Sequence, residues 1–294
     1  MQTSVLITCY RRRAFLEFSV ASALADGADQ VVVVKDWSSP VIDQELRERN
    51  VTLVNEDLPV IGAALARGVA ACRGETISFL DDDDLIVRGR LPAVRAEFQR
   101  DSSLAVLRNG YSEVDVQGNR FTPPEGPRAQ PLDRFEFDSD QIDDDILRWI
   151  VEYRGYGILS TLTVRRAMLA PLIVLLAQVE CGIDVAVPTL LMRDHYRHAF
   201  IPAPLSVHRV GSSLRAGTSS DDPAAYARTF RRLARAAASP GGRRYAAMNA
   251  RWAELERLLG RRRLDALQRL RSRRTSSSLR DVAGVFLPSI TRRS

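Results

Sequence analysis

The chain has 294 residues, 45% of them hydrophobic and 27% charged, which is globular composition with enough apolar side chains for a large core. These proportions exclude collagen-like, coiled-coil and wholly disordered classes. Cys9, Cys72 and Cys181 stand far apart with no CxxC pair, so neither a disulfide scaffold nor a structural zinc site is expected and a reducing cytoplasm fits.

The net charge of +6 is unevenly distributed. Residues 221–294 hold 18 Arg and 6 Asp or Glu, while the rest hold 24 basic and 30 acidic residues. An acidic body therefore carries a basic tail. The N-terminus lacks the charged, apolar, small-residue order of a signal peptide. The longest apolar stretch, Ala167 to Val179, contains Pro171 and Gln178 and falls short of the roughly 20 residues that a spanning helix needs. The expected location is the cytoplasm, with peripheral attachment to the inner face of the membrane as a variant.

Ser4 to Thr8 reads as a short buried strand, and Phe15 to Leu24 as a helix. The β-branched run Val31 to Val34 suits a parallel strand covered on both faces. Val51 to Val54 is a third strand and Ile61 to Ala71 a helix. Ile77 to Leu80 is a fourth strand that stops at four aspartates, and Arg90 to Phe98 is the next helix. Such alternation predicts βαβ units in a mostly parallel, Rossmann-like sheet flanked by helices. Ligands of these sheets sit beyond the carboxyl ends of the strands. Thr8 to Tyr10, Lys35-Asp36 and Asp81 to Asp84 all fall at such ends.

After residue 100 the pattern changes. Leu104 to Leu107 and Tyr111 to Val116 look like strands, and 122–145 like a long loop. Leu162 to Val179 reads as mostly helix. Asp184 is expected to N-cap a helix running to Met192, with Pro188 a flaw in it. His198 to Ile201 and Leu205 to His208 return to short strands. Residues 214–223 form a linker, and beyond it Tyr226, Phe230, Leu233 and Ala237 make a helical apolar stripe.

Asp81 to Asp84 carry the strongest chemical signal. Adjacent carboxylates repel one another, and a buried strand that delivers them to a ligand edge calls for a compensating cation. Oxygen-preferring Mg²⁺ or Mn²⁺ is the natural one, bridging to a substrate phosphate. A solvated acidic turn is the plain alternative. Asp36 could bond a ribose or base, or cap a loop. Lys35, the single lysine, could touch a phosphate or point to solvent. Asp184 could be a general base or a helix cap. His208 could ligate a metal and Arg209 could clamp a phosphate.

These motifs in this order resemble a family 2 glycosyltransferase of the GT-A fold. Ser4 to Arg12 is similar to that family's "VSVIIxxYNR" opening, and VVVVKDWS at 31–38 to its "VVDDGS" strand. Gly74 to Asp84 resembles "GEYIAFLDADD", which holds the DXD motif. Glu180 to Arg193 resembles the "ED" segment, and Pro202 to Ser213 the closing "P.PLVYYRxHxxS". Lys35 stands in place of the first Asp of the usual pair, so only Asp36 carries over. Glu180 and Asp184 are not adjacent, so the "ED" match rests on Asp184.

The resemblance implies transfer of a sugar from a nucleotide diphosphate sugar, a UDP-sugar for preference, to an acceptor hydroxyl with inversion. It implies Asp184 as catalytic base. Asp83, Asp81 and His208 would hold Mg²⁺ or Mn²⁺, and Thr8, Tyr10, Asp36, Asp81, Asp82 and Arg209 would bind the nucleotide-sugar. The catalytic domain would span 1–213, with a nucleotide half at 1–100 and an acceptor half at 101–213. The basic helical tail, 224–294, would meet an anionic membrane where a lipid-linked acceptor is available. Alternatively its stripe would pack on the body or on a second copy. A sugar-phosphate nucleotidyltransferase lacks its Gly-rich loop here, and no specific nucleic acid is expected of so acidic a body.

Overall fold

The computed structural model describes residues 1–10, 13–55, 60–122, 130–152, 158–192, 196–211, 222–237 and 239–259. The first half alternates as expected: β1 (Thr3–Cys9), α1 (Leu16–Ala25), β2 (Gln30–Lys35), α2 (Pro40–Glu48), β3 (Thr52–Asn55), α3 (Ile61–Ala71) and β4 (Thr76–Asp81). β5 (Leu85–Ile86), α4 (Arg90–Arg100) and β6 (Leu104–Val114) follow. The second half holds β7 (Phe135–Asp138), α5 (Asp144–Glu152), β8 (Leu162–Arg165), α6 (Arg166–Leu169), α7 (Ile173–Leu176), α8 (Ile183–Leu190) and β9 (Arg197–Arg209). Two longer helices close the described chain, α9 (Pro223–Ala236) and α10 (Pro240–Leu259).

The strands form one sheet in the order β3-β2-β1-β4-β8-β6-β9-β5, with β7 on β9. β3, β2, β1 and β4 are parallel, whereas β8 runs antiparallel between β4 and β6. Side chains alternate between the two faces. Val5, Ile7, Val31, Val33 and Leu80 meet α1, α2 and α4 through Leu16, Val20, Leu46 and Leu91. Leu6, Val32, Val34, Ile77 and Phe79 share the other core with α3 and the later helices.

Several expectations change. The polar stretch Ser38 to Glu48 conceals α2, whose start Ser39-Pro40 is a helix-entry pattern. The two strands proposed between 104 and 116 are one, because register shifts around Gly110 absorb its irregular centre. Likewise 198–208 is a single strand, β9. The loop at 122–145 contains β7 and the start of α5. Leu162 to Val179 begins as a strand, since β8 is buried between two neighbours and needs apolar side chains on both faces. Pro171 then breaks the remainder into short turns.

The apolar stripe of the tail is covered by protein. Phe230 and Leu233 are buried, and the same core takes in Tyr245, Ala246 and Ala250 of α10. That face is therefore used within the chain and does not lie on a membrane. The basic clusters at Arg261 to Arg263 and Arg271 to Arg274 fall outside the described residues, as does most of the 214–223 linker. Among the described residues no helix is long and apolar enough to cross a membrane.

Candidate active site

Pairing of β1 with both β2 and β4 sets three carboxyl ends side by side. Thr8 lies opposite Val34 on one side and Asp81 on the other, and Cys9 lies opposite Lys35. Thr8 and Asp36 are half-buried and Tyr10 is 40% exposed directly after β1. The structure thus brings Thr8, Tyr10, Asp36 and Asp81 to one edge.

The four aspartates do not behave alike. Asp81 is half-buried, and its backbone N–H donates to Ser160 Oγ at 2.8 Å. Asp82 is buried and accepts the Cys9 thiol at 3.5 Å, so its carboxylate is held inside the turn. Asp83 is 8% exposed and Asp84 wholly buried. Asp84 N–H bonds back to the Asp81 carbonyl at 3.2 Å, which closes the turn. Ser19 Oγ of α1 reaches the carbonyls of Asp82 and Asp84 at 2.9 and 2.7 Å.

Antiparallel pairing of β5 with β9 carries His208 and Arg209 to this turn. His208 Nδ1 faces the Asp84 carboxylate, which leaves Nε2 as the ring nitrogen able to ligate. Burial alone would lower the His208 pKa, but the Asp84 carboxylate, with Asp81 and Asp83 nearby, holds it above its ordinary value. Arg209 Nε donates to the Asp83 carbonyl, and its Nη1 to those of Asp115 and Val116. Arg90, on α4 behind the turn, is wholly buried. Burial pulls its guanidinium pKa down to about 10 against the opposing charges of Asp26 and Asp84.

Lys35 departs from both expectations, because it touches neither solvent nor a ligand edge. It is 1% exposed and pairs with Asp43 of α2 at 2.7 Å, while Nζ donates to the Trp37 carbonyl at 2.5 Å. Asn55 Nδ2 supports Asp43 at 3.0 Å.

Asp184 is not the N-cap. Gly182, at φ 68°, holds that position and Asp184 is half-buried in the first turn of α8. The left-handed backbone there favours glycine. The charge of Asp184 is felt by Cys181 and by Tyr245 of α10, which sets it beside the C-terminal helices. Gly62 N–H at the start of α3 donates to Val179 O at 3.0 Å, fixing the segment before α8 against the first turn of α3. α9 grips the same segment. Arg228 pairs with Glu180 at 2.6 Å, Glu180 N–H donates to Thr229 Oγ1 at 3.2 Å, and Arg232 Nη1 donates to Gln178 O at 3.0 Å.

Among the described residues no group of three or more His, Cys, Asp or Glu converges as a metal cage. Two hard carboxylates at one edge suit a divalent ion of another kind, one that takes most of its oxygens from substrate phosphates and water. Asp81 and Asp83 are the carboxylates that would hold Mg²⁺ or Mn²⁺ in that shared mode, whereas His208, expected as a third ligand, does not join them in a three-residue group. Sequence reasoning missed Ser19, Asp43 and Asn55, which shape the site from behind. A serine among the inward positions of 15–24 was the one visible signal for Ser19.

Residues 4–147 match the family model described as Glycosyl transferase family 2. No curated protein matches the chain in sequence. Solved structures share its fold. The crystal structure of S. aureus TarS has a TM-score of 0.61 at 16% identity, covering 87% of this chain and 44% of that one. That of S. aureus TarS 1–349 in complex with UDP-GlcNAc gives 0.61 at 15% identity, covering 85% of this chain and 70% of the other. The complex of TarS 1–349 with UDP gives 0.61 at 15% identity, with 89% and 73% covered. The chain spans less than half the length of the full TarS chain. Family match and sheet topology together define a GT-A fold, within which residues 4–147 match glycosyltransferase family 2.

Proposed function

We propose that this glycosyltransferase is metal-dependent and inverting, and moves a sugar from a nucleotide diphosphate sugar to an acceptor hydroxyl. The observation that carries the reading is the turn Asp81–Asp84 at the end of β4, directly beside Thr8 of β1. TarS structures that hold UDP-GlcNAc and UDP support a UDP-sugar as donor.

Thr8, Tyr10 and Asp36 line the base and ribose side, where the ends of β1 and β2 meet. Asp81 and Asp83 would hold Mg²⁺ or Mn²⁺, with substrate phosphates and water as the remaining donors. The ion supplies charge neutralisation at the leaving diphosphate. Asp184 takes the proton of the acceptor hydroxyl as that oxygen attacks the anomeric carbon opposite the leaving group, and a single displacement inverts the centre. The bond from Asp81 N–H to Ser160 Oγ, which ties the 158–161 segment to the turn, supports that segment as part of the acceptor site.

Residues 260–294 carry ten Arg against two Asp. At an anionic inner leaflet each such charge contributes about 1 kcal/mol. This would hold the chain near a lipid-linked acceptor hydroxyl.

Incubation with UDP-GlcNAc, Mn²⁺ and candidate acceptors tests the reaction, with UDP release and the anomeric configuration of the product read by NMR. Mn²⁺-dependent release and an inverted product are expected. A retained configuration, or release at the same rate in EDTA, would contradict the proposal.

A further inference from the structure

The end of β9 and the acidic turn are tied by bonds that run in both directions. Asp84 is wholly buried, and its Oδ1 accepts the backbone N–H of Arg209 at 2.8 Å. In return Arg209 Nε donates to the Asp83 carbonyl at 3.1 Å. His208 Nδ1 stands 3.2 and 3.3 Å from the two Asp84 oxygens. Arg209 Nη1 reaches the carbonyls of Asp115 and Val116 at 3.1 and 3.3 Å, and its Cζ lies 4.4 Å from the centre of the Phe15 ring.

These contacts set the orientation of both partners. The guanidinium spans three neutral carbonyls and an aromatic face, which is the work of a planar fork and not of a bare cation. The Asp84 carboxylate is turned inward onto an N–H and an imidazole. Outer partners of this kind fix the direction in which neighbouring ligand groups point.

We infer that Asp84 and Arg209 are positioning residues. They form a reciprocal clamp that aims Asp81 and Asp83 at the metal and diphosphate, and Arg209 acts through the Asp83 carbonyl and not on the donor phosphate. The inference rests on the metal-dependent donor site proposed above. Within the run of four aspartates, Asp81 and Asp83 serve the ligand, and Asp84 serves the fold that holds them.

Lysine at 209 separates the clamp from a direct phosphate contact. Lysine keeps the charge but cannot span the Asp83, Asp115 and Val116 carbonyls. Calorimetry of UDP binding with titrated Mn²⁺ would compare the wild type with Arg209→Lys, Arg209→Gln, Asp84→Ala and the double variant Asp84→Ala/Arg209→Gln. Thermal melting would check folding. Each single variant should lose about 10- to 100-fold in Mn²⁺ affinity, lysine as badly as glutamine. The double variant should be little worse than either single one, because both break one clamp.

Arg209→Lys with wild-type affinity beside a weakened Arg209→Gln would overturn the clamp and return Arg209 to the phosphate. Should Asp84→Ala fail to melt cooperatively, Arg209→Lys decides alone. Variants that match a metal-dependent wild type overturn the clamp only. A wild type that binds UDP without regard to Mn²⁺ overturns the donor-site reading as well.

Discussion

Lys35 Nζ lies 2.7 Å from Asp43 Oδ1, with both side chains closed off from solvent. The pair joins the end of β2 to α2 at the position where the family pattern carries a carboxylate. Burial alone would raise the Asp43 pKa. The hydrogen bond and charge of Lys35, helped by Asn55 and the Ser39 backbone, outweigh burial and hold it below its ordinary value. Asp43 thus contributes stability above the unfolded value of 3.8, and the contribution is lost as pH falls through the lower folded value.

Asp43→Ala should be strongly destabilising, because it leaves a buried ammonium without its counter-ion. Removing one member of a buried pair costs about 3–5 kcal/mol. Lys35→Met/Asp43→Leu should recover most of that loss. Urea denaturation of the three proteins checks this. A single variant within about 1 kcal/mol of wild type would show that the ammonium finds other partners.

The second prediction concerns acid. His198 is 1% exposed, stacks on Phe137 at 4.9 Å and has Nε2 3.1 Å from the Leu191 carbonyl. Burial drives its pKa from 6.5 down to about 4, against small opposing effects of Leu191 and Asp138. Between those values the unfolded chain takes a proton that the folded chain refuses. The stabilisation is complete above about pH 6.5 and declines as pH falls to about 4, by about 3 kcal/mol at the limit. His198→Gln should flatten that part of the profile in denaturation series at pH 7.5 and 4.5. Parallel profiles would contradict the assignment.

Asp184→Asn should leave UDP binding close to wild type and lower transfer by about 10²- to 10⁴-fold, the usual worth of a general base. Transfer near the wild-type rate would make Asp184 an ordinary first-turn carboxylate of α8. The grip of α9 on 178–182 gives a companion test. Thr229→Val removes the bond to Glu180 N–H and should reduce kcat more than donor affinity.

The tail divides at residue 259. A chain ending there keeps α9 and α10 on the core and should melt within a few degrees of full length. One ending at 222 uncovers the surface that Phe230, Leu233 and Tyr245 fill, and should lose its cooperative transition. Flotation with anionic vesicles at low salt should carry full-length protein upward and leave the chain ending at 259 behind. Equal flotation would remove the membrane role from the basic segment.

The first hundred residues were legible because β1, β2 and β4 are short apolar runs buried on both faces, as in Val31 to Val34 and Ile77 to Leu80. α2 was hidden because only Asp43 and Leu46 of its nine residues are buried, which leaves almost no apolar signal. β8 was misread because an apolar run at the centre of a sheet has neither the helical nor the alternating period. The acidic turn announced itself by composition. Its internal division did not, since Asp84 differs from Asp83 only in which long-range partner it meets. The same holds for Lys35, whose counter-ion Asp43 comes from the helix that carried no signal.

The most direct test of the donor site is calorimetry of UDP with Mn²⁺ on the wild type and Asp83→Asn. Wild-type protein should bind UDP more tightly with Mn²⁺ than in EDTA, and Asp83→Asn should lose that enhancement while melting as the wild type does. An unchanged Mn²⁺ enhancement in a folded Asp83→Asn would contradict the placement of the metal and diphosphate at the turn after β4.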